Sequence, residues 1–352
     1  MGYTKTTFDH TTDGTEVYRY TLTNEQGASA SFTNFGAIWL TMSVPDKDGQ
    51  FDDVILGYDS VDSIQTQPGH PGEPVGRNAN RIGGAKFTLN GVTYELAKNS
   101  AEVNNLHSGP DFYRDRIWDA EVEETELGTT IIFGLHSPDG DQGYPGNADI
   151  TVSYTLTPDN CLKLDYHMVS DADTIANFTN HVYFNLGGYK SGSVLDQKVW
   201  MDADYFTATD VNSIPTGELV AVKGTPMDFT EMKPIGRDIQ EDYQALKYGN
   251  GYDHNWALNH PAGELSLSAK AEDEKTGRTM EVYTDLPGVQ FYTANFLKSE
   301  RGKNHAVYTP RCGYCFETQY FPDAINKPEF ASPVLKAGEE YKTTTIYKFG
   351  VK

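Results

Sequence analysis

Apolar residues recur at every second position in runs of strand length. Val152, Tyr154 and Leu156 alternate with Thr151, Ser153 and Thr155, and Leu162, Leu164, Tyr166 and Met168 alternate with Lys163, Asp165 and His167. Successive side chains of an extended backbone point to opposite faces, so each run predicts a strand with one buried and one wet face. Residues 343–349, rich in Thr and aromatics, predict another strand near the C-terminus. Between Phe87 and Tyr94 the pattern folds back on itself. Asn90-Gly91 accepts the positive φ of a type I′ turn, and its alternating flanks predict a hairpin. Spacing at 3.6 residues is nearly absent, and the best helical stretch, Ile239 to Tyr248, is short.

Turn signals such as Pro45-Asp46, Asp139-Gly140 and Ala337-Gly338 punctuate the chain, but no linker, composition shift or fixed-period repeat divides it. Residues 65–74 (QTQPGHPGEP) read as a loop crossing a surface. The pattern predicts an all-β protein, a large antiparallel β-sandwich with few short helices, forming a single domain over residues 1–352.

Charge narrows the range of partners. With 50 acidic residues against 28 basic ones, the net charge is −22. Phosphate contacts need a positive face, so nucleic acid and anionic membrane are not expected as partners, and a phosphorylated substrate is disfavoured. Three cysteines are too few for a disulfide framework. Cys312 and Cys315 form a C-x-x-C without a second pair, and both read as strand residues in a reducing compartment. The first twenty residues contain no apolar signal core and no transmembrane run follows, so the expected location is cytoplasmic.

Polar residues gather beside glycine and aromatics in a few short segments. Gly76-Arg77-Asn78-Ala79-Asn80-Arg81-Ile82 precedes the hairpin, where a solvated loop with surface arginines competes with side chains aimed into a cleft. Asn105-Leu106-His107-Ser108 and Asn180-His181-Val182-Tyr183 each carry a loop histidine beside asparagine. Tyr252-Asp253-His254-Asn255-Trp256 joins an acid, a histidine and an amide, while Gln290 stands alone in an apolar strand. Glu317 follows an apolar, aromatic stretch. A carboxylate in a half-buried strand carries a desolvation cost, so it is normally paired or functional. Three chemistries use such a set: a metal held by two histidines and a carboxylate, a glycosidase pair of Asp253 and Glu317, or a carboxylate and a histidine exchanging protons with a free sugar.

From Asn34-Phe35-Gly36-Ala37 to Thr345-Ile346-Tyr347-Lys348-Phe349 the chain resembles the aldose 1-epimerase (galactose mutarotase) family. The motifs stand in order: GRNANRI at 76–82, NLHSGP at 105–110, NHVYFNLGG at 180–188, YDHNW at 252–256, GVQFYT at 288–293 and ETQYFPDAINKP at 317–328. The resemblance implies Glu317 as general base and His181 as general acid. It implies Asn80, Arg81, His107, Asp253 and Gln290 as sugar-binding residues, and Trp256 as an aromatic face for the sugar ring. It further implies a β-sandwich that interconverts the anomers of free hexoses, with no required metal or cofactor and with a small sugar as partner. A monomer or homodimer is expected. Ser108 and Val182 depart from the commoner family pattern of glycine and proline, which bears on sugar preference. A sugar-binding sandwich without catalysis and a glycoside-processing enzyme are the alternatives.

Overall fold

A computed structural model describes residues 2–352. Three sheets dominate. The largest has nine strands, in spatial order Asp119–Thr125, Gly128–Ser137, Ala148–Leu156, Cys161–Ser170, Glu340–Val351, Arg278–Thr284, Ser266–Glu272, Lys198–Met201 and Lys233–Pro234. Neighbouring strands are antiparallel throughout. The alternating runs at 151–156, 162–168 and 343–349 lie in three adjacent strands of this sheet, with Leu164 opposite both Tyr154 and Thr345. An N-terminal meander of five strands runs from Gly2–His10 to Phe51–Asp53. A second five-stranded sheet, hereafter the site sheet, has the order Pro215–Ala221, Tyr205–Thr209, Asp253–Ala257, Gly288–Tyr292 and Cys315–Gln319.

One hydrophobic core receives side chains from all three sheets. Phe133, Tyr154 and Tyr347 of the large sheet meet Phe32 and Trp39 of the meander and Trp256, Phe291 and Phe316 of the site sheet. Phe32 stacks on Tyr154 with ring centroids 4.4 Å apart, and the Tyr347 hydroxyl donates to the Phe316 carbonyl at 3.0 Å. Aromatic residues bury large apolar areas while a hydroxyl at the tip still finds an acceptor, so these contacts tie the layers together. The fold is the predicted β-sandwich.

The predicted hairpin is present, with Lys86–Leu89 paired to Val92–Glu95 and Asn90 and Gly91 at φ 51° and 78°. The helix expected around Ile239 begins only at Gln244 and ends at Gly249. The other α-helix among the described residues is Val61–Thr66, capped by Ser60, and no described helix is long and apolar enough to cross a membrane.

Candidate active site

Three strands of the site sheet present two rows of side chains to one face. Asn255, Gln290 and Glu317 lie in register across them, and Asp253, Tyr292 and Cys315 form the adjacent row. Residues of opposite parity, including Trp256, Val289, Phe291 and Phe316, turn into the core. The expectation for Trp256 is corrected here. It is fully buried and donates its indole N–H to the Met227 carbonyl at 3.0 Å. Three positions beyond Asp253, it has the opposite parity on the strand and faces away from the site. Tyr183, Tyr292 and Phe296 supply the aromatic lining instead.

Segments from 68–81, 106–107 and 181–183 cover that face and enclose a cavity of about 330 Å³. All seven residues singled out from the sequence line it: Asn80, Arg81, His107, His181, Asp253, Gln290 and Glu317. Residues 65–74 do not simply cross a surface, because Pro68, Gly69 and His70 form part of the cavity wall and Glu73 is buried behind them. Ser108 and Val182 are buried outside the lining, and the Ser108 hydroxyl holds its loop to the backbone of Asn78 and the hydroxyl of Tyr144.

Arg77 and Arg81, four residues apart in one motif, have separate fates. Arg81 lines the cavity, whereas the Arg77 side chain is fully buried outside it. Its guanidinium donates to the carbonyls of Pro145, Ser137 and Pro138 at 2.8, 3.0 and 3.3 Å and to the hydroxyls of Ser137 and Thr174 at 2.9 and 3.3 Å. The expected alternatives for this segment, a solvated arginine or one aimed into a cleft, both miss that structural role.

Asn80 and His107 lock each other. The Asn80 amide N–H donates to His107 Nδ1 at 3.1 Å, and the His107 N–H returns a bond to the Asn80 carbonyl at 3.1 Å. Both residues adopt left-handed backbone, at φ 62° and 54°. Burial, followed by the neighbouring His181 and His70, pushes the His107 pKa well below the ordinary imidazole value and keeps the ring neutral. With Nδ1 committed as an acceptor, the ring proton is assigned to Nε2, which makes His107 a hydrogen-bond donor there. Asp253 is also held in place: Gln290 Nε2 donates to Oδ1 at 2.7 Å, and Arg81 Nη2 lies 3.5 Å from Oδ2.

Glu317 faces His181, with Oε1 3.8 Å from Nε2. Burial pushes the Glu317 pKa well above the usual carboxylate range, Asp253 and Glu73 add to the rise, and Arg81 opposes it. Burial pushes His181 down to about 3, with His70 acting in the same direction and Glu73 opposing. The contact is within ion-pair range, yet burial disfavours the charged form of both groups. The His181 ring lies between Tyr183, at 5.0 Å between centroids, and His70, at 5.6 Å. Its Nδ1 is 3.5 Å from Cys315 Sγ. Glu317 Oε2 and Gln290 Oε1 are buried without a hydrogen-bond partner among the described residues. Buried polar atoms are normally satisfied, so this arrangement suits a ligand rich in hydroxyl groups.

The sequence reading missed His70, Glu73, Tyr183, Tyr292 and Cys315. The available signal for the first two was a His-x-x-Glu spacing inside a Pro/Gly loop directly ahead of GRNANRI. Of the three chemistries open at the outset, a metal site has some geometric support, since His107, His181 and Glu317 bring ligand atoms within 4.8 Å of one another. The donor set does not fit a cation well. Ligation through His107 Nε2 would put the ring proton on Nδ1, where the Asn80 N–H already points. The glycosidase reading requires a second carboxylate free to act, and both oxygens of Asp253 are engaged by Gln290 and Arg81.

Residues 18–348 match the model of the family described as Aldose 1-epimerase. Galactose mutarotase of Bos taurus is 39% identical over 337 residues, covering 95% of this chain and 94% of the relative. Aldose 1-epimerase of Haemophilus influenzae is 38% identical over 361 residues, covering 98% and 99%. Among solved structures, the galactose 1-epimerase of Lactobacillus acidophilus superposes with a TM-score of 0.87 at 26% identity, covering 99% of each chain.

Proposed function

The chain belongs to the aldose 1-epimerase family of isomerases, and we propose that it interconverts the α and β anomers of free aldohexoses such as D-galactose and D-glucose. The observation that carries this reading is the Glu317–His181 pair, buried together 3.8 Å apart on the wall of a sugar-sized cavity.

In the reaction Glu317 takes the proton of the C1 hydroxyl while His181 gives one to the ring oxygen. The C1–O5 bond breaks and the C1–O1 bond becomes a carbonyl. Rotation about C1–C2 presents the other face, and closure reverses both transfers. While the ring is open, Glu317 holds its proton and His181 is neutral, which is the charge state that burial favours. Desolvation therefore lowers the energy of the open-chain complex relative to the closed one, where the two groups would carry opposite charges. His107 is poised to donate to a sugar oxygen that gains negative charge. Asp253, Asn80, Arg81 and Gln290 bind hydroxyls and discriminate between sugars. Free thiols at all three cysteines suit the reducing cytoplasm in which we place this activity.

Polarimetry of freshly dissolved α-D-galactose and α-D-glucose tests the reading. The expected result is acceleration over buffer that survives a chelator and is accompanied by no release of reducing sugar from disaccharides. A panel of simple aldoses without acceleration, but with measurable binding, would establish a sugar-binding protein instead.

The pH profile checks the state of the pair. The active form holds one proton, so kcat/KM falls when His181 takes a second proton, at about pH 3, and when Glu317 loses its own, above the ordinary carboxylate range. A broad plateau between those two limbs is expected. A narrow bell with limbs at the ordinary values of 4.5 and 6.5 would show instead that burial does not govern the pair.

A further inference from the structure

A third imidazole reaches the cavity with its own carboxylate behind it. His70 lines the wall, its ring centroid 5.6 Å from those of both His107 and His181. Its Nδ1 lies 2.7 Å from Oε1 of Glu73. Burial pushes the Glu73 carboxyl up, but His70 and Arg114 together outweigh burial and hold it below the ordinary value, so it is ionised. Arg114 Nε is 3.5 Å from Glu73 Oε2, and Arg114 Nη1 anchors the loop by donating to the Gly69 carbonyl at 2.7 Å. The backbone carbonyl of Glu73 also accepts the His181 N–H at 2.9 Å, so one residue positions both histidines.

Arg114 Nη1 also lies 3.2 Å from His70 Nδ1, but a carboxylate oxygen can only accept, so the shorter 2.7 Å contact places the ring proton on Nδ1 and leaves Nε2 as the acceptor atom of the ring. Its neighbour His107 has the opposite polarity, with Nδ1 fixed as acceptor and Nε2 as donor. A hydroxyl both donates and accepts, so adjacent imidazoles of opposite polarity suit one sugar hydroxyl or two vicinal ones. We propose that His70 is a further sugar-contacting residue, which accepts a hydrogen bond from a substrate hydroxyl and helps set sugar preference, with Glu73 as its positioning residue. The inference rests on the epimerase reading and adds a contact to it.

The test is kcat/KM for mutarotation of D-galactose and its 2-, 3-, 4- and 6-deoxy analogues, each referred to its rate in buffer, in the parent, His70→Ala and Glu73→Gln. Loss of one neutral hydrogen bond predicts a fall of about 10-fold for His70→Ala on galactose, expressed mainly in KM. One deoxy analogue, which lacks the hydroxyl that His70 contacts, is expected to show no further loss in His70→Ala. Glu73→Gln is expected to repeat the pattern with a smaller effect. Should that buried substitution prevent folding, His70→Ala on the cavity wall still decides. A common fall on every analogue, or none on any, overturns the contact while leaving the epimerase reading intact. An inactive parent enzyme would overturn the epimerase reading itself.

Discussion

Replacing Glu317 with Gln is expected to lower kcat for mutarotation by about 10²- to 10⁴-fold, the usual worth of one acid/base group, with KM changed little. Gln keeps the shape and can still hydrogen-bond a sugar, but it cannot hold and release the proton that the ring opening requires. The same substitution should stabilise the fold in a pH-dependent way. In the unfolded chain a glutamate ionises around 4.5, whereas the buried Glu317 keeps its proton to higher pH. Between those two values the folded state binds more protons than the unfolded state, so parent stability falls as pH rises, by about 1.4 kcal/mol for each unit of separation. The Gln variant has no such loss. Its advantage in melting temperature should be near zero at pH 4 and grow with rising pH until Glu317 ionises in the parent. Retained activity would exclude Glu317 as the proton-transfer group. An advantage that does not vary with pH would show that burial does not hold the carboxyl protonated.

Arg77→Ala is expected to be the costliest change outside the cavity, destabilising the protein by several times the roughly 1–3 kcal/mol that each buried acceptor left without its charged donor costs. The buried carbonyls of Ser137 and Pro145 would each lose a donor that water cannot readily replace. Denaturant melts measure the loss directly. Because Arg77 does not line the cavity, kcat/KM per folded molecule should stay near the parent value. Arg81→Ala should behave in the opposite way, with a normal melt and a raised KM. If Arg77→Ala melts normally and loses activity, the separation of roles drawn from its burial is wrong.

These two arginines illustrate what could be read from the sequence. Where the backbone is a regular strand, alternation is enough to place side chains. Ala148–Leu156, Cys161–Ser170 and Glu340–Val351 contain the expected runs, and the parity that puts Glu317 and Gln290 on one face was present in the letters. The same parity separates Trp256 from Asp253, and applying it would have removed Trp256 from the site. The segment 76–82 is mostly irregular, with only Arg81–Ile82 in a short strand, so no period says which arginine turns inward. The order of the large sheet was also hidden. The C-terminal strand inserts between Cys161–Ser170 and Arg278–Thr284, and pairing residues so distant in the chain leaves no local signature. Glu317 was legible as a carboxylate too apolar in its surroundings to be idle. His181 needed the resemblance, and His70 was obscured by a loop rich in proline and glycine, a composition usually found at the surface.

Both faces of the site sheet are committed, one row to the cavity and the alternate row to the core. A single-residue insertion or deletion within Asp253–Ala257, Gly288–Tyr292 or Cys315–Gln319 would exchange the two sets, exposing Phe316 to the sugar while driving Glu317 into hydrocarbon. These strands can therefore vary by substitution but hardly by length. The covering segments around His70, His107 and Phe296 carry no such constraint. Divergence in sugar preference, whether natural or produced in a library, is accordingly expected to accumulate as length and sequence changes in those loops. Glu317, Gln290 and Asp253 should stay fixed in the strands, with His181 held opposite them.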